Sequence, residues 1–206
     1  TEITQEGEDL PQGRALMYRR YVQRWYEREF NKAYHSKTDL PWTKKQVFDD
    51  LCHIAAHMRF HGYAKEAPRS WLIDTLGSKL TAGRKFLDFL GQGIICIVSQ
   101  EDDIFGFAHE TLQEYLSAEY VLRKPELLAK ATERESSVWD IVLAYAFELE
   151  KDPHEDFIKS AWRLNPLLTI LVAENIEDLK SFRLPKVSRF IEDTVRFLQE
   201  KLAIQN

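Results

Sequence analysis

Apolar residues in this chain recur mostly three and four positions apart, and in only one region do they gather into short β-branched runs. Leu16, Tyr18, Tyr21, Val22 and Trp25 follow Leu10-Pro11 at roughly helical spacing. Pro11 stands where a missing amide hydrogen is tolerated, so a helix opening at Leu10-Pro11 is expected. Residues 31–42, with Ser36, Asp39 and Pro41, read as a loop. Thr43 offers an N-cap to a helix carrying Val47, Leu51, Ile54, Ala55 and Met58, and Gly62 is its stop signal. Pro68 opens a short helix through Trp71, Leu72 and Leu76. Thr81 can cap a third helix, which carries Phe86, Leu87, Phe89 and Leu90 and ends near Gly91 and Gly93.

The pattern switches at Ile94. Ile94-Ile95-Cys96-Ile97-Val98 and Ile104-Phe105-Gly106-Phe107 flank a polar stretch, Ser99-Gln100-Glu101-Asp102-Asp103, which predicts a β-hairpin. Three helices followed by a hairpin is the plan of a winged helix. The helix after Thr111 sets Leu112, Tyr115, Leu116 and Tyr120 on one face, and Thr111-Leu112-Gln113-Glu114 fits a capping box. Beyond Pro125, short helices are expected around 139–147, 157–162, 167–172 and 187–202, broken by Pro153 and Asn165-Pro166. They predict a helical bundle or the start of a solenoid, with no assignable repeat. The expected fold is mainly α: a helical linker over 1–42, a winged-helix domain with a short β-hairpin over 43–124, and a C-terminal helical domain over 125–206.

The 206 residues are 44% hydrophobic and 30% charged, as in soluble globular proteins. A net charge of −5 opposes a general nucleic-acid binder. Two cysteines, Cys52 and Cys96, are too few for a secreted disulfide scaffold and fit reduced thiols in the cytoplasm. The longest apolar runs, 94–98 and 141–147, are too short for a bilayer, and the acidic first residues do not form a signal peptide. The first residue is not methionine, so a piece of a longer protein is expected.

Candidate chemistry is sparse. A P-loop needs Gly-Lys before Ser or Thr, and this chain has no Gly-Lys dipeptide. Glu101, Asp102 and Asp103 behind an apolar run have the outline of a Walker B strand. The immediate return of Phe105 and Phe107 fits a hairpin better, and the residues for magnesium-dependent phosphoryl transfer are lacking. His53, His57 and His61 stand four apart without a His-Glu-x-x-His arrangement, so solvated or partly buried histidines are the preferred reading over a metal site. Glu110 and Glu114 lie one turn apart, but the cap claims Glu114. Arg14, Arg19, Arg20, Arg24 and Arg28 read as a solvated face. Arg84 and Lys85 in the third helix, with Lys79 just before it, are offset by Asp88 and an acidic wing tip, which makes DNA readout electrostatically poor.

His109 stands between the last strand and a helix start, where exposed amides favour anions and an imidazole can donate to a phosphate oxygen or pair with a carboxylate or carbonyl. The segment around it, Phe-x-Phe-x-His-x-Thr-Leu-Gln-Glu-Tyr-Leu-x-Ala-x-Tyr over 105–120, strongly resembles the winged-helix segment of NACHT-type STAND NTPases. Residues 10–18 and 51–58 are similar to neighbouring helices of that group, and the tail around Asn165-Pro166-Leu167-Leu168 resembles it more loosely. The resemblance implies the regulatory part of a nucleotide-switched signalling ATPase. There His109 would touch the β-phosphate of ADP and hold the protein closed until ATP exchange permits oligomerisation. It further implies ATP or ADP and magnesium in the intact protein, with no cofactor or catalysis in this portion. The implied partners are its own upstream NTPase core, further copies on activation, and an unknown protein or ligand trigger. No membrane partner is expected. Defence signalling is common among bacterial members of the family. A free-standing helical interaction module is the alternative, and a winged-helix DNA-binding regulator a more distant one.

Overall fold

Local signals set the first turns, and long-range contacts correct them. The computed structural model describes residues 13–35, 42–76, 83–91, 93–99, 101–131, 136–150 and 155–165. Helix α1 (Arg14–His35) begins behind Gly13, whose φ of +108° suits glycine, and the Ala15 amide donates to the Glu148 carboxylate at 2.8 Å. The expected opening at Leu10-Pro11 lies outside the described residues. The loop expected from Asn31 does not begin there, because α1 continues to His35; residues 36–41 lie outside the described residues. Phe30 packs on the core and Lys32 pairs with Glu29 at 3.0 Å, which carries the helix through residues that read as polar loop.

Helix α2 (Lys44–Phe60) starts where expected. The Gln46 amide donates to Thr43 Oγ1 at 3.2 Å while the Thr43 amide donates to Gln46 Oε1 at 2.8 Å, a reciprocal cap. Gly62, at φ +83°, closes the helix: its amide donates to the Arg59 carbonyl, and that of Tyr63 to the Met58 carbonyl. Strand β1 (Glu66–Pro68) and helices α3 (Arg69–Leu76) and α4 (Gly83–Gly91) follow. The expected cap at Thr81 lies outside the described residues.

The hairpin forms as strands β2 (Cys96–Ser99) and β3 (Ile104–Phe107), with Val98 opposite Phe105. Among the described residues β1 completes an antiparallel sheet in the order β1-β3-β2, with Glu66 opposite Gly106. Glu-Ala-Pro carries no strand pattern, so β1 escapes a sequence reading. Gly106 is what admits it: a Cβ there would lie 2.8 Å from Glu66 Cγ and 3.1 Å from the Lys65 carbonyl oxygen.

Helix α5 (Glu110–Arg123) departs most from expectation. Instead of one buried face, every residue from Leu112 to Glu119 is buried, because α2 packs on one side and a later helix on the other. The expected capping box at Thr111 is absent. The N-cap is His109, whose carbonyl accepts from the amides of Leu112 and Gln113. Thr111 Oγ1 instead accepts from the Tyr18 hydroxyl at 2.7 Å, and Glu114 turns inward. An unforeseen helix α6 (Pro125–Ala131) and a 3-10 turn (Ser136–Trp139) lead to α7 (Asp140–Leu149) and α8 (Glu155–Leu164). Helix α7 packs back on α5, and α6 on α8. The helices expected at 167–172 and 187–202 lie outside the described residues. The chain is thus mainly helical with a small antiparallel sheet, and Trp25, Tyr115, Phe105, Phe107 and Trp139 are among its largest fully buried side chains.

Gly93 gives a test of this packing. A Cβ there would lie 2.4 Å from Trp25 Nε1 and 2.9 Å from Cε2, and the Trp25 ring is only 2% exposed. Gly93→Ala is expected to lower stability by about 1–3 kcal/mol, read as a reduced urea midpoint. An unchanged midpoint would contradict the close approach.

Candidate functional site

The junction of β3 and α5 is held by the sheet on both flanks. The Phe107 amide donates to the Lys65 carbonyl at 2.8 Å, and the next amide, Ala108, donates to the Ile95 carbonyl at 2.9 Å. His109 then takes extended angles, φ −139° and ψ 143°, and its backbone begins the helix while its side chain makes no capping bond. The residue is exposed. A helix start favours negative charge through its oriented amides, so an exposed imidazole here faces outward beside an anion-favouring end.

Behind the junction sits a buried cation that the sequence reading did not single out. Arg59, in the last turn of α2, is 7% exposed. Its Nη2 donates to Glu110 Oε1 at 3.4 Å, Gln113 Oε1 at 3.2 Å and Glu114 Oε1 at 3.3 Å. Its Nη1 donates to the carbonyl of Val138 in the 3-10 turn. Gln113 Nε2 in turn donates to the carbonyls of Tyr63 and Ala64, so the same cluster fixes the segment leaving α2. Burial raises the Glu114 carboxyl above its ordinary range; Arg59 pulls it back and Glu110 adds to the rise. The sequence did hold a signal. Glu110, Gln113 and Glu114 sit at i, i+3 and i+4, a polar stripe on a helix otherwise built for the core.

A second cluster ties the middle of α5 to α1. Glu119 Oε1 accepts from Arg19 Nε at 2.9 Å and from the Tyr115 hydroxyl at 3.0 Å. Burial, then the Glu119 charge, pushes the Tyr115 phenol far above its ordinary value. Arg123 Nε donates to the Glu119 carbonyl at 2.9 Å, and its guanidinium pairs with Asp49 and lies over the Phe48 ring.

The other candidates do not gather around His109. His53 and His57 have ring centroids 4.5 Å apart, and His53 stacks on Tyr120 at 5.4 Å. Among the described residues no group of three or more His, Cys, Asp or Glu side chains is placed to hold a metal ion. Cys52 and Cys96 are buried and free, and burial raises both thiols. Asp102 and Asp103 are turn residues. Asp102 bonds with Ser99, and Asp103, at φ +51°, accepts from the Ser70 amide at 2.9 Å and its hydroxyl. With Glu66, Ala67, Pro68 and Ile104 they line an open cleft of about 320 Å³ that neither His109 nor Arg59 reaches. In α4, Lys85 is exposed while Asp88 pairs with Arg69 at 2.6 Å; Lys79 and the Arg84 side chain lie outside the described residues. No described helix is long and apolar enough to cross a membrane. No family model matches the chain, and neither a curated protein nor a solved structure matches it.

The raised Glu114 carboxyl has a pH signature. A carboxyl that holds its proton more tightly folded than unfolded supports the fold most at low pH. That support is lost as pH climbs from the ordinary glutamate value, about 4.3, through the raised one. Stability measured against pH should therefore fall across this window more steeply in the wild type than in Glu114→Gln. Parallel curves would contradict the assignment.

Proposed function

We propose that this chain is the regulatory part of a NACHT-type STAND NTPase, in which a winged helix senses bound ADP through His109 and thereby controls autoinhibition and oligomerisation. The carrying observation is the exposure of His109 at the N-cap of α5, with its ring uncommitted to the cap. The element order supports the reading. The succession α2, β1, α3, α4, β2, β3, with β1 pairing on β3, is compatible with the helices-then-hairpin plan expected of a winged helix. Helix α5 would close the winged-helix domain, and the helices after it, from α6 onward, would be the start of the C-terminal helical domain.

In this reading the ATPase is the intact cytoplasmic protein. An upstream core supplies the P-loop, magnesium and the phosphoryl chemistry, since this sequence contains no Gly-Lys pair to cradle phosphates. His109 contributes one donor to the ADP-bound, closed state. Exchange for ATP removes that contact, the winged helix swings away, and copies assemble. The energy source for the change is the differential affinity of the two nucleotides for the two states. Defence against infection is the setting the resemblance favours. The chemistry of this portion is recognition, without bond making or breaking.

The test is His109→Ala in the protein that carries both the NTPase core and this chain. Loss of one charge-assisted bond to phosphate is expected to weaken ADP binding about 10- to 100-fold and to make signalling constitutive. Unchanged ADP affinity with a silent protein would overturn the switch and leave a helical protein-interaction module.

A further inference from the structure

The two terminal nitrogens of Arg59 face different parts of the molecule. Nη1 holds the Val138 carbonyl in the 3-10 turn that runs directly into α7. Nη2 serves the first two turns of α5 through Glu110, Gln113 and Glu114. Among these three partners Glu110 reaches solvent: its side chain is 53% exposed, against 10% for Glu114, and Gln113 is fully buried. Glu110 is also the residue next to His109 in the chain.

A guanidinium is a rigid plane, so one terminal nitrogen cannot follow a moving partner without displacing the other. Arg59 Nε has no hydrogen-bond partner among the described residues, so no bond at that atom resists such a rotation. At the receiving end the turn is lightly held on its outer side. Val138 and Ile141 are 41% and 47% exposed, while Trp139 supplies the inner anchor.

We infer that Glu110 and Arg59 form a relay coupling the exposed β3–α5 junction to the start of α7. Negative charge brought to the helix N-terminus repels Glu110, the guanidinium follows its remaining partners, and the hold on the Val138 carbonyl changes. Glu110 is the input, Arg59 the rigid connector and the 3-10 turn the output. Arg59 is in this scheme a positioning residue. The relay goes beyond the nucleotide reading, and its input is negative charge at the junction.

Amide hydrogen exchange on the full chain, without nucleotide, tests it. Glu110→Ala should speed exchange over residues 139–146 roughly three- to tenfold, the equivalent of about one net hydrogen bond. Amides of 50–58 in α2 and 115–119 in α5 should hold their wild-type rates, which reports an intact fold. Arg59→Lys should have at least the same effect on 139–146, and the double variant should exceed Arg59→Lys by nothing further. Faster exchange confined to 109–114 in Glu110→Ala, or additive effects in the double variant, would overturn the relay. If Arg59→Lys fails to fold, the half-exposed Glu110→Ala decides alone. Because no nucleotide is present, failure here leaves the role of His109 standing, and failure there leaves the relay standing.

Discussion

A buried guanidinium must find acceptors or the fold does not close around it. Arg59 brings its charge to a position 7% exposed, where an unpaired cation costs several kcal/mol. The cluster joins three places far apart in the chain: the last turn of α2 supplies the cation, the first turns of α5 supply three side-chain acceptors, and the 3-10 turn before α7 supplies a carbonyl. Satisfying it sets the axial position of α5 against α2 and brings α7 onto the other side. Once α5 is enclosed in this way its own polar groups must be answered, and Arg19 and Tyr115 answer Glu119 nearer its other end.

This enclosure explains where the sequence was legible and where it was not. Signals that act within a turn or two of the chain survived intact. Thr43 at the N-cap of α2, Gly62 at its end, the hairpin around Asp102-Asp103, and the helices α7 and α8 all stand where periodicity and turn chemistry put them. Signals that compete with distant partners did not. Thr111 and Glu114 have the spacing of a cap, yet Tyr18 takes the hydroxyl and Arg59 takes the carboxylate. Strand β1 has no pattern of its own; it is a strand because Gly106 leaves room for it beside β3. Helix α5 reads as amphipathic because four of its buried residues, Gln113, Glu114, Ser117 and Glu119, are polar.

The candidate site divides along the same line. His109 is legible because its place, directly after an aromatic strand and before a helix, is a local property. Arg59 is not, since its meaning resides in side chains 51 to 55 positions away and a carbonyl 79 away. The acidic hairpin residues show the converse: Asp103 invites a chemical reading in sequence and turns out to tie the hairpin to the start of α3 through Ser70.

The carboxylate at the start of α1 carries a consequence for how the molecule is made. The Ala15 amide finds its acceptor in Glu148, 133 residues later. A ribosome delivers α1 long before it delivers α7, so the first described helix must wait for one of the last before its exposed end is capped. Local helical contacts can form early, but closure of this loop requires nearly the whole described chain. The N-terminal helix is therefore the first described helix to be synthesised and among the last to be finished.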